Sequence, residues 1–349
     1  MKIEKLDQDF LIIGENIHTT RVVLKRGRHF MTTPDGHEAV CFEDQAGVEH
    51  LMPVPQSIKK TQDYEEGRVK HMSIAVLAAM HGDDETQNIG ENYLRTQISR
   101  QEVAGADYLD VNVDEISIKP AEQQETMQWL VAFMQECTSL PLSIDSSNPE
   151  TIRLGLEACS GSGQRMMVNS ASLERLDVLN FAKDHNCVVI VTAAGESGMP
   201  QNVEQRIEHA SRIVEAAAKQ GIALGDMFVD PLYFPISVDQ EFGNHAFESI
   251  RQLRSNFGPD IHITGGFSNV SFGLPSRRLI NDAFLVLAVE AGADSGIVDP
   301  VSTDPNRAFA LDRNSVPFEH AEKMLLGDDP DCTAFLKGYR KKLFRDYAG

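Results

Sequence analysis

Short apolar runs along this chain end, one after another, in a carboxylate, an amide or a hydroxyl. The end residues are Glu15 and Asn16, Asp110 and Asn112, Asp145, Asn169, Thr192, Asp230, Ser268 with Asn269, and Asp299. Ionised Asp only accepts hydrogen bonds, so such a set suits a flat heterocycle that presents an N–H and an amino edge. It does not suit a phosphate, and neither a P-loop nor a G-x-G-x-x-G behind a strand occurs. Taken singly, each residue is equally well a loop start or a helix cap. The convergence of the whole set is what favours a site.

Other chemistries find less support. The 11 His are scattered and none forms H-x-x-x-H, so no metal is expected. His18, near the end of the first run, is the one His to suspect at a site, with a surface or structural role as the stronger reading. Ser170 and Ser268 lack a G-x-S-x-G elbow. Gly265-Gly266 reads first as a backbone-spacing feature. The five Cys, at 41, 137, 159, 187 and 332, are odd in number and show no C-x-x-C, which fits a reducing cytoplasm and no thiolate zinc. With 52 Asp+Glu against 32 Lys+Arg, the surface repels nucleic acid and anionic membranes. No signal-peptide stretch occurs in Met1–Gln8, and no apolar run nears the roughly 18 residues of a membrane span.

The elements that would position these residues alternate in type. Strands are expected at Leu11–Ile13, Tyr108–Val113, Leu142–Ile144, Met166–Val168, Cys187–Thr192, Met227–Val229, His262–Thr264 and Gly296–Val298. Helical segments follow them, among them Asn92–Val103, Ala121–Thr138, Leu173–His185, a helix capped by Asn202 and Gln205, Ala246–Phe257, Leu279–Glu290 and Asn306–Leu325. Asn148-Pro149 reads as an N-cap followed by proline at the first helical position. Eight strand–helix pairs make an α/β fold, a (β/α)8 TIM barrel whose site lies at the C-terminal ends of the strands.

Two parts exceed the minimal barrel. About ninety residues separate the first two strands, far more than an ordinary βα loop. We place an insertion at 22–88, with a hairpin of His37–Phe42 and Gly47–Met52. Its Lys25, Arg26 and Arg28 are either a partner patch or a solvated loop. The barrel is taken as 1–328 and a C-terminal helical tail as 329–349, with a helix over Thr333–Tyr347.

The runs Leu11-Ile12-Ile13-Gly14-Glu15-Asn16-Ile17, Leu109-Asp110-Val111-Asn112-Val113, Ser143-Ile144-Asp145-Ser146-Ser147-Asn148, Val168-Asn169-Ser170-Ala171-Ser172, Val229-Asp230-Pro231-Leu232 and Gly266-Phe267-Ser268-Asn269-Val270-Ser271 occur in register. So does Arg277-Arg278-Leu279-Ile280-Asn281. In this order the chain resembles the pterin-binding methyltransferases, namely the methyltetrahydrofolate:corrinoid enzymes and the folate module of cobalamin-dependent methionine synthase. The likeness runs from Leu11 to about Ser302. Asn16 departs from it, since the family has Arg there, and the segment Ala193–Pro200 matches only loosely.

The resemblance implies roles. Asp145, Asn169 and Asp230 would grip the aminopyrimidinone edge of the pterin, with Asp110, Asn112 and Ser268 lining the pocket. Asn269 would adjust hydrogen bonding at N5, so Asn269 and Asp230 are the expected catalytic residues, while Arg277 and Asn281 support the pocket or its loop. The substrate would be tetrahydrofolate or 5-methyltetrahydrofolate, and the cobalamin would ride on a separate corrinoid protein. Asp35-Gly36-His37 only begins a corrinoid signature and is taken as a chance match. A homocysteine-binding subunit is a further candidate partner, and a homodimer is expected. The alternatives are a dihydropteroate synthase-like condensation and a non-catalytic folate-binding subunit.

Overall fold

A computed structural model describes residues 1–159 and 163–347 of the chain. Eight strands, β1 (Leu11–His18), β2 (Tyr108–Asn112), β3 (Leu142–Asp145), β4 (Met167–Ala171), β5 (Val188–Thr192), β6 (Met227–Asp230), β7 (His262–Ile263) and β8 (Ser295–Val298), form one sheet in the order β7-β6-β5-β4-β3-β2-β1-β8. Neighbours in sequence are neighbours in the sheet, and β8 returns to β1 with Ser295 opposite Leu11 and Val298 opposite Gly14. The outer strands meet through Ile297 N–H, which donates to Gly265 O at 2.9 Å. This is the (β/α)8 TIM-barrel arrangement that the alternation of elements predicts.

The helices between them are α1 (Asp84–Val103), α2 (Pro120–Cys137), α3 (Pro149–Ala158), α4 (Val178–Asp184), α5 (Val203–Lys219), α6 (Phe242–Phe257) and α7 (Arg277–Ala291), with α8 (Pro305–Ala310) and α9 (Val316–Leu325) after β8. Their starts follow from local chemistry. Asn148 Oδ1 accepts from Glu150 N–H at 3.0 Å, with Pro149 at the first helical position. Asn202 Oδ1 accepts from Gln205 N–H at 2.9 Å, and Gln205 Oε1 reaches back to Gln201 N–H at 2.7 Å. No helix among the described residues is long and apolar enough to cross a membrane.

Several boundaries differ from expectation. β1 continues five residues past Ile13, so Glu15, Asn16 and His18 lie on the strand and not behind it. The segment Asn306–Leu325 is two helices, because Ser315 caps a new start whose Pro317 lacks the N–H a continuous helix needs. The helix over Thr333–Tyr347 stops at Arg340 as α10 (Thr333–Arg340). Lys342 takes φ +60°, and the chain folds back to set Phe344 on Phe335 at 4.9 Å between ring centroids. The last two residues of the expected tail, 348–349, lie outside the described residues.

The chain forms two compact units. One comprises Met1–Gly14, Ala104–Asp107 and Met167–Gly349, and so holds β4 to β8 with the opening half of β1. Its β5 is buried at all five positions, as a strand covered on both faces must be. Around Tyr233 the aromatic rings of Phe267 and Phe284 pack edge to face at 5.6 and 5.1 Å.

The other unit comprises Glu15–Val103 and Tyr108–Met166. Here β2 and β3 pair with Asp110 opposite Ser143 and Asn112 opposite Asp145. Side chains alternate along a strand, so these four share one sheet face while Leu109, Val111, Leu142 and Ile144 share the other. The expected hairpin exists as Glu38–Glu43 and Glu49–Pro53, with a third strand, Phe30–Thr32, paired antiparallel to the first. Asp44 closes its turn, accepting from Ala46 N–H at 2.8 Å and from Val48 N–H at 3.0 Å. Phe42 then packs edge-on against Tyr93 of α1 at 4.8 Å, and the buried Tyr93 hydroxyl meets His71 Nδ1 at 2.8 Å. His71 opens a helix, His71–His81, that periodicity does not reveal because it is apolar on nearly every side.

Candidate functional site

The unit carrying β2 and β3 gathers three of the expected residues at its strand ends. Asn112 Nδ2 donates to Asp145 Oδ2 at 2.8 Å, a contact dictated by their opposite positions in the ladder. Asp110 lies two residues back on the same face, fully buried, and its Oδ2 is 2.7 Å from His18 Nε2. The His18, Asp110 and Asp145 ring-nitrogen and carboxylate atoms all lie within 4.8 Å of one another. The short His18–Asp110 contact and the Asn112 donor mark this as a hydrogen-bonded network.

The network is electrostatically tense. Burial pushes the Asp145 carboxyl up, and the Asp110 charge adds to the push, while His18 and the Asn112 N–H pull the other way. Burial alone would lower the His18 ring, but its hydrogen bond to Asp110 and the charges of Asp110, Asp145 and Glu15 outweigh that and raise it. Behind Asp145, Asp114 accepts from Ser146 Oγ at 2.6 Å and from Ser147 N–H at 2.8 Å. Glu15 pairs with Arg21 Nη1 at 3.2 Å. Of these, the sequence offered His18 only as a suspect, with a surface or structural role as the stronger reading, and it did not single out Asp114. A single His on an apolar run is a weak signal, and Asp114 sits two residues past Asn112 where turn formation explains it equally well.

In the other unit Asp230 ends β6, opposite Thr192 of β5. Its Oδ1 accepts from Leu232 N–H at 2.7 Å, in a turn where Leu232 takes φ +67°. Burial pushes its carboxyl up to about 7, with the Leu232 N–H and the Arg206 charge opposing. Arg206 is itself 1% exposed, the largest fully buried side chain among the described residues. It donates Nε–H to Pro231 O at 3.1 Å and Nη1 to Asn202 O at 3.2 Å, with Phe234 under its plane at 4.9 Å. The expected set missed it too. The signal was there, since Arg206 occupies the apolar stripe of α5 with Ala210, Ile213, Val214 and Ala217.

Gly265 and Gly266 make room for this corner. Gly265 has φ +144°, and a Cβ on it would lie 2.4 Å from the Tyr233 ring and 2.7 Å from Asp230 Oδ1. A Cβ on Gly266 would lie 2.8 Å from Asn269 Nδ2. Both are spacing glycines, as read from the sequence. Ser268 and the exposed Asn269 stand in the 3-10 turn Phe267–Ser271. Arg277, at the start of α7, ties that turn down through Nε to Ser271 Oγ at 3.0 Å and Nη2 to Ser268 O at 2.8 Å. Asn169 is half-buried on β4, opposite Ile190, where the register with β5 slips by one residue. Next to it, Ser170 Oγ accepts from Arg175 Nη2 at 3.1 Å.

Comparison with known proteins gives the arrangement a context. The family described as pterin binding enzyme matches residues 87–299. The chain is 33% identical over 264 residues to the methylcorrinoid:tetrahydrofolate methyltransferase of Eubacterium limosum, covering 72% of this chain and 88% of that protein. It is 31% identical over 230 residues to the methionine synthase of Mycobacterium tuberculosis, covering 62% of this chain but only 19% of that much longer protein. In fold it is similar to the dihydropteroate synthase of Xanthomonas albilineans solved with 4-aminobenzoic acid, at a TM-score of 0.51 and 20% identity over 65% of this chain and 86% of that one.

Proposed function

Because the chain belongs to the pterin-binding enzyme family, we propose that it moves the N5 methyl group between 5-methyltetrahydrofolate and a corrinoid cofactor on a separate protein. The observation that carries the reading is the 33% identity to the Eubacterium methyltransferase along 88% of that protein. The donor set agrees with it. Buried carboxylates that are costly to keep charged are suited to a ligand edge that brings its own N–H and amino donors. Asp145, Asn169 and Asp230 are the residues proposed to meet that edge, and Asp110, Asn112 and Ser268 are proposed as further pterin contacts.

The reaction breaks the methyl C–N5 bond, and the amine that departs takes up a proton. That proton or an equivalent hydrogen bond lowers the cost of a poor leaving group. Asn269, exposed on its turn and positioned by Arg277 through Ser268 and Ser271, is the residue proposed to adjust hydrogen bonding at N5. The corrinoid supplies the nucleophile in one direction and the methyl group in the other. The match to methionine synthase covers 19% of that protein, and only the folate step is proposed for this chain. A split methionine synthase and a demethylation system are the two settings that fit.

The test is spectrophotometric. Reduced cobalamin, mixed with 5-methyltetrahydrofolate and this protein, should convert to methylcobalamin, and free tetrahydrofolate should accumulate in equal amount. Folate that binds while its methyl never moves, to free cobalamin or to any corrinoid protein, would overturn the proposal in favour of a binding subunit.

A further inference from the structure

His18, Asp110 and Asp145 make a group of three titratable side chains on successive strands, with Asp110 buried and the other two half-buried, and the reading above uses only the two carboxylates. Two carboxylates this close in a buried setting cannot both ionise cheaply without a cation beside them. His18 is placed to be that cation. Its ring is 15% exposed, hydrogen-bonded at 2.7 Å to a carboxylate with no exposure at all. A neighbouring ion pair and a third acid do not replace it. Glu15 is neutralised by Arg21 at 3.2 Å, and Asp114, beyond Asp145, adds negative charge.

We propose that His18 is a positioning residue for the pterin acid Asp145: it fixes Asp110 by hydrogen bond and supplies the positive charge that lets Asp110 and Asp145 stand together as hydrogen-bond acceptors. The proposal rests on the pterin reading above. The logic is one of proton count. With His18 charged, the rise of Asp145 is limited to about 8, within reach of a ligand whose N–H and amino donors favour the carboxylate. With the cation removed, Asp145 holds its proton to higher pH against the repulsion from Asp110, and a carboxylic acid presents a donor where an acceptor is needed. The raised His18 agrees with this division of charge, and burial with the Asp110 charge holds the unliganded Asp145 carboxyl up to about 8 even beside it, so losing the cation carries the acid still further from the acceptor form.

The variant His18→Gln keeps a hydrogen-bonding group and loses the charge. Binding of 5-methyltetrahydrofolate to the full chain is measured by calorimetry across pH, for wild type, His18→Gln and the double variant His18→Gln/Asp110→Asn. The single variant should move the low-pH limb of binding upward by about one unit, so that affinity near neutral pH falls roughly tenfold and recovers in alkali. The double variant loses one positive and one negative charge, and its limb should return toward that of wild type. A loss independent of pH, or no loss, overturns the assignment, because a purely structural role gives no shift of the limb. The 13C titration of the Asp145 carboxyl in the unliganded protein provides the second readout. It should move up in His18→Gln and back in the double variant. If wild type binds no folate but the carboxyl titration shifts as stated, the pterin reading fails while the role of His18 in the carboxylate pair stands. If wild type binds folate and the titration does not move, the role of His18 fails alone.

Discussion

Arg206 donates its Nε–H to the carbonyl of Pro231, the residue that follows Asp230, at 3.1 Å. A guanidinium 1% exposed thus props the turn from which a candidate pterin acid projects. Burial holds it down to about 10, with the Asp230 charge partly opposing. Arg206→Met keeps the bulk and removes the donors to Pro231 O and Asn202 O. The unpaired carbonyls and altered packing should lower unfolding stability by about 2–4 kcal/mol in urea titration. Arg206→Lys should recover less than half of the loss, because an ammonium cannot serve both carbonyls through one planar fork. A change within experimental error in both variants would remove the structural role.

Gly265→Ala tests the corner from the opposite side. Its Cβ would collide with the Tyr233 ring and with Asp230 Oδ1, on a backbone at φ +144°. The expected cost is roughly 1–3 kcal/mol of stability. Folate affinity should fall as Asp230 is displaced. Gly225→Ala is the comparison, because its nearest neighbour would be Asp260 O at 3.6 Å, and it should change neither quantity.

Asp230 also predicts a pH dependence. Its folded value, about 7, lies above the ordinary 3.8, so the folded state holds the proton over that interval while the unfolded state has released it. Stability contributed by this group is therefore greatest at low pH and is lost as pH rises from about 4 to about 7, by an amount on the order of a few kcal/mol at most. Asp230→Asn removes the ionisation. Its unfolding midpoint relative to wild type should rise in going from about pH 5 to about pH 8. A difference that stays constant across this range contradicts the assignment.

Arg277 stands in the first turn of α7, where a cation opposes the helix dipole by a few tenths of a kcal/mol. Its placement is explained by the bonds to Ser268 O and Ser271 Oγ. Arg277→Ala should leave the unfolding midpoint nearly unchanged. It should lower kcat/KM for methyl transfer by about tenfold, through loosening of the turn that carries Asn269. Equal losses of stability and rate would show that the turn is a folding element only.

The strand centres are legible because each needs only a few consecutive apolar residues, and Val188–Thr192 or Met227–Asp230 leave no other use for such a run. The end of β1 is not, because Glu15, Asn16 and His18 break the apolar pattern while remaining on the strand. Polar residues on the inner face of a barrel look, in one dimension, like the loop that follows. The same ambiguity hides Arg206, whose charge reads as surface although its helical phase is that of the core. Asp145 and Asp230 are visible because they end their runs. The partners that set their charge, His18 and Arg206, come from distant parts of the chain that only the fold brings close.

The pairing of Asn112 with Asp145 across the β2–β3 ladder has a further consequence. A slip of one residue would set Asn112 beside Ile144 and turn Ser143 and Asp145 toward the helices. Leu142 and Ile144 would then occupy the face that now carries the acids. A wrongly threaded sheet would thus be a dead one, and assembly of the two strands checks its own alignment before any substrate arrives.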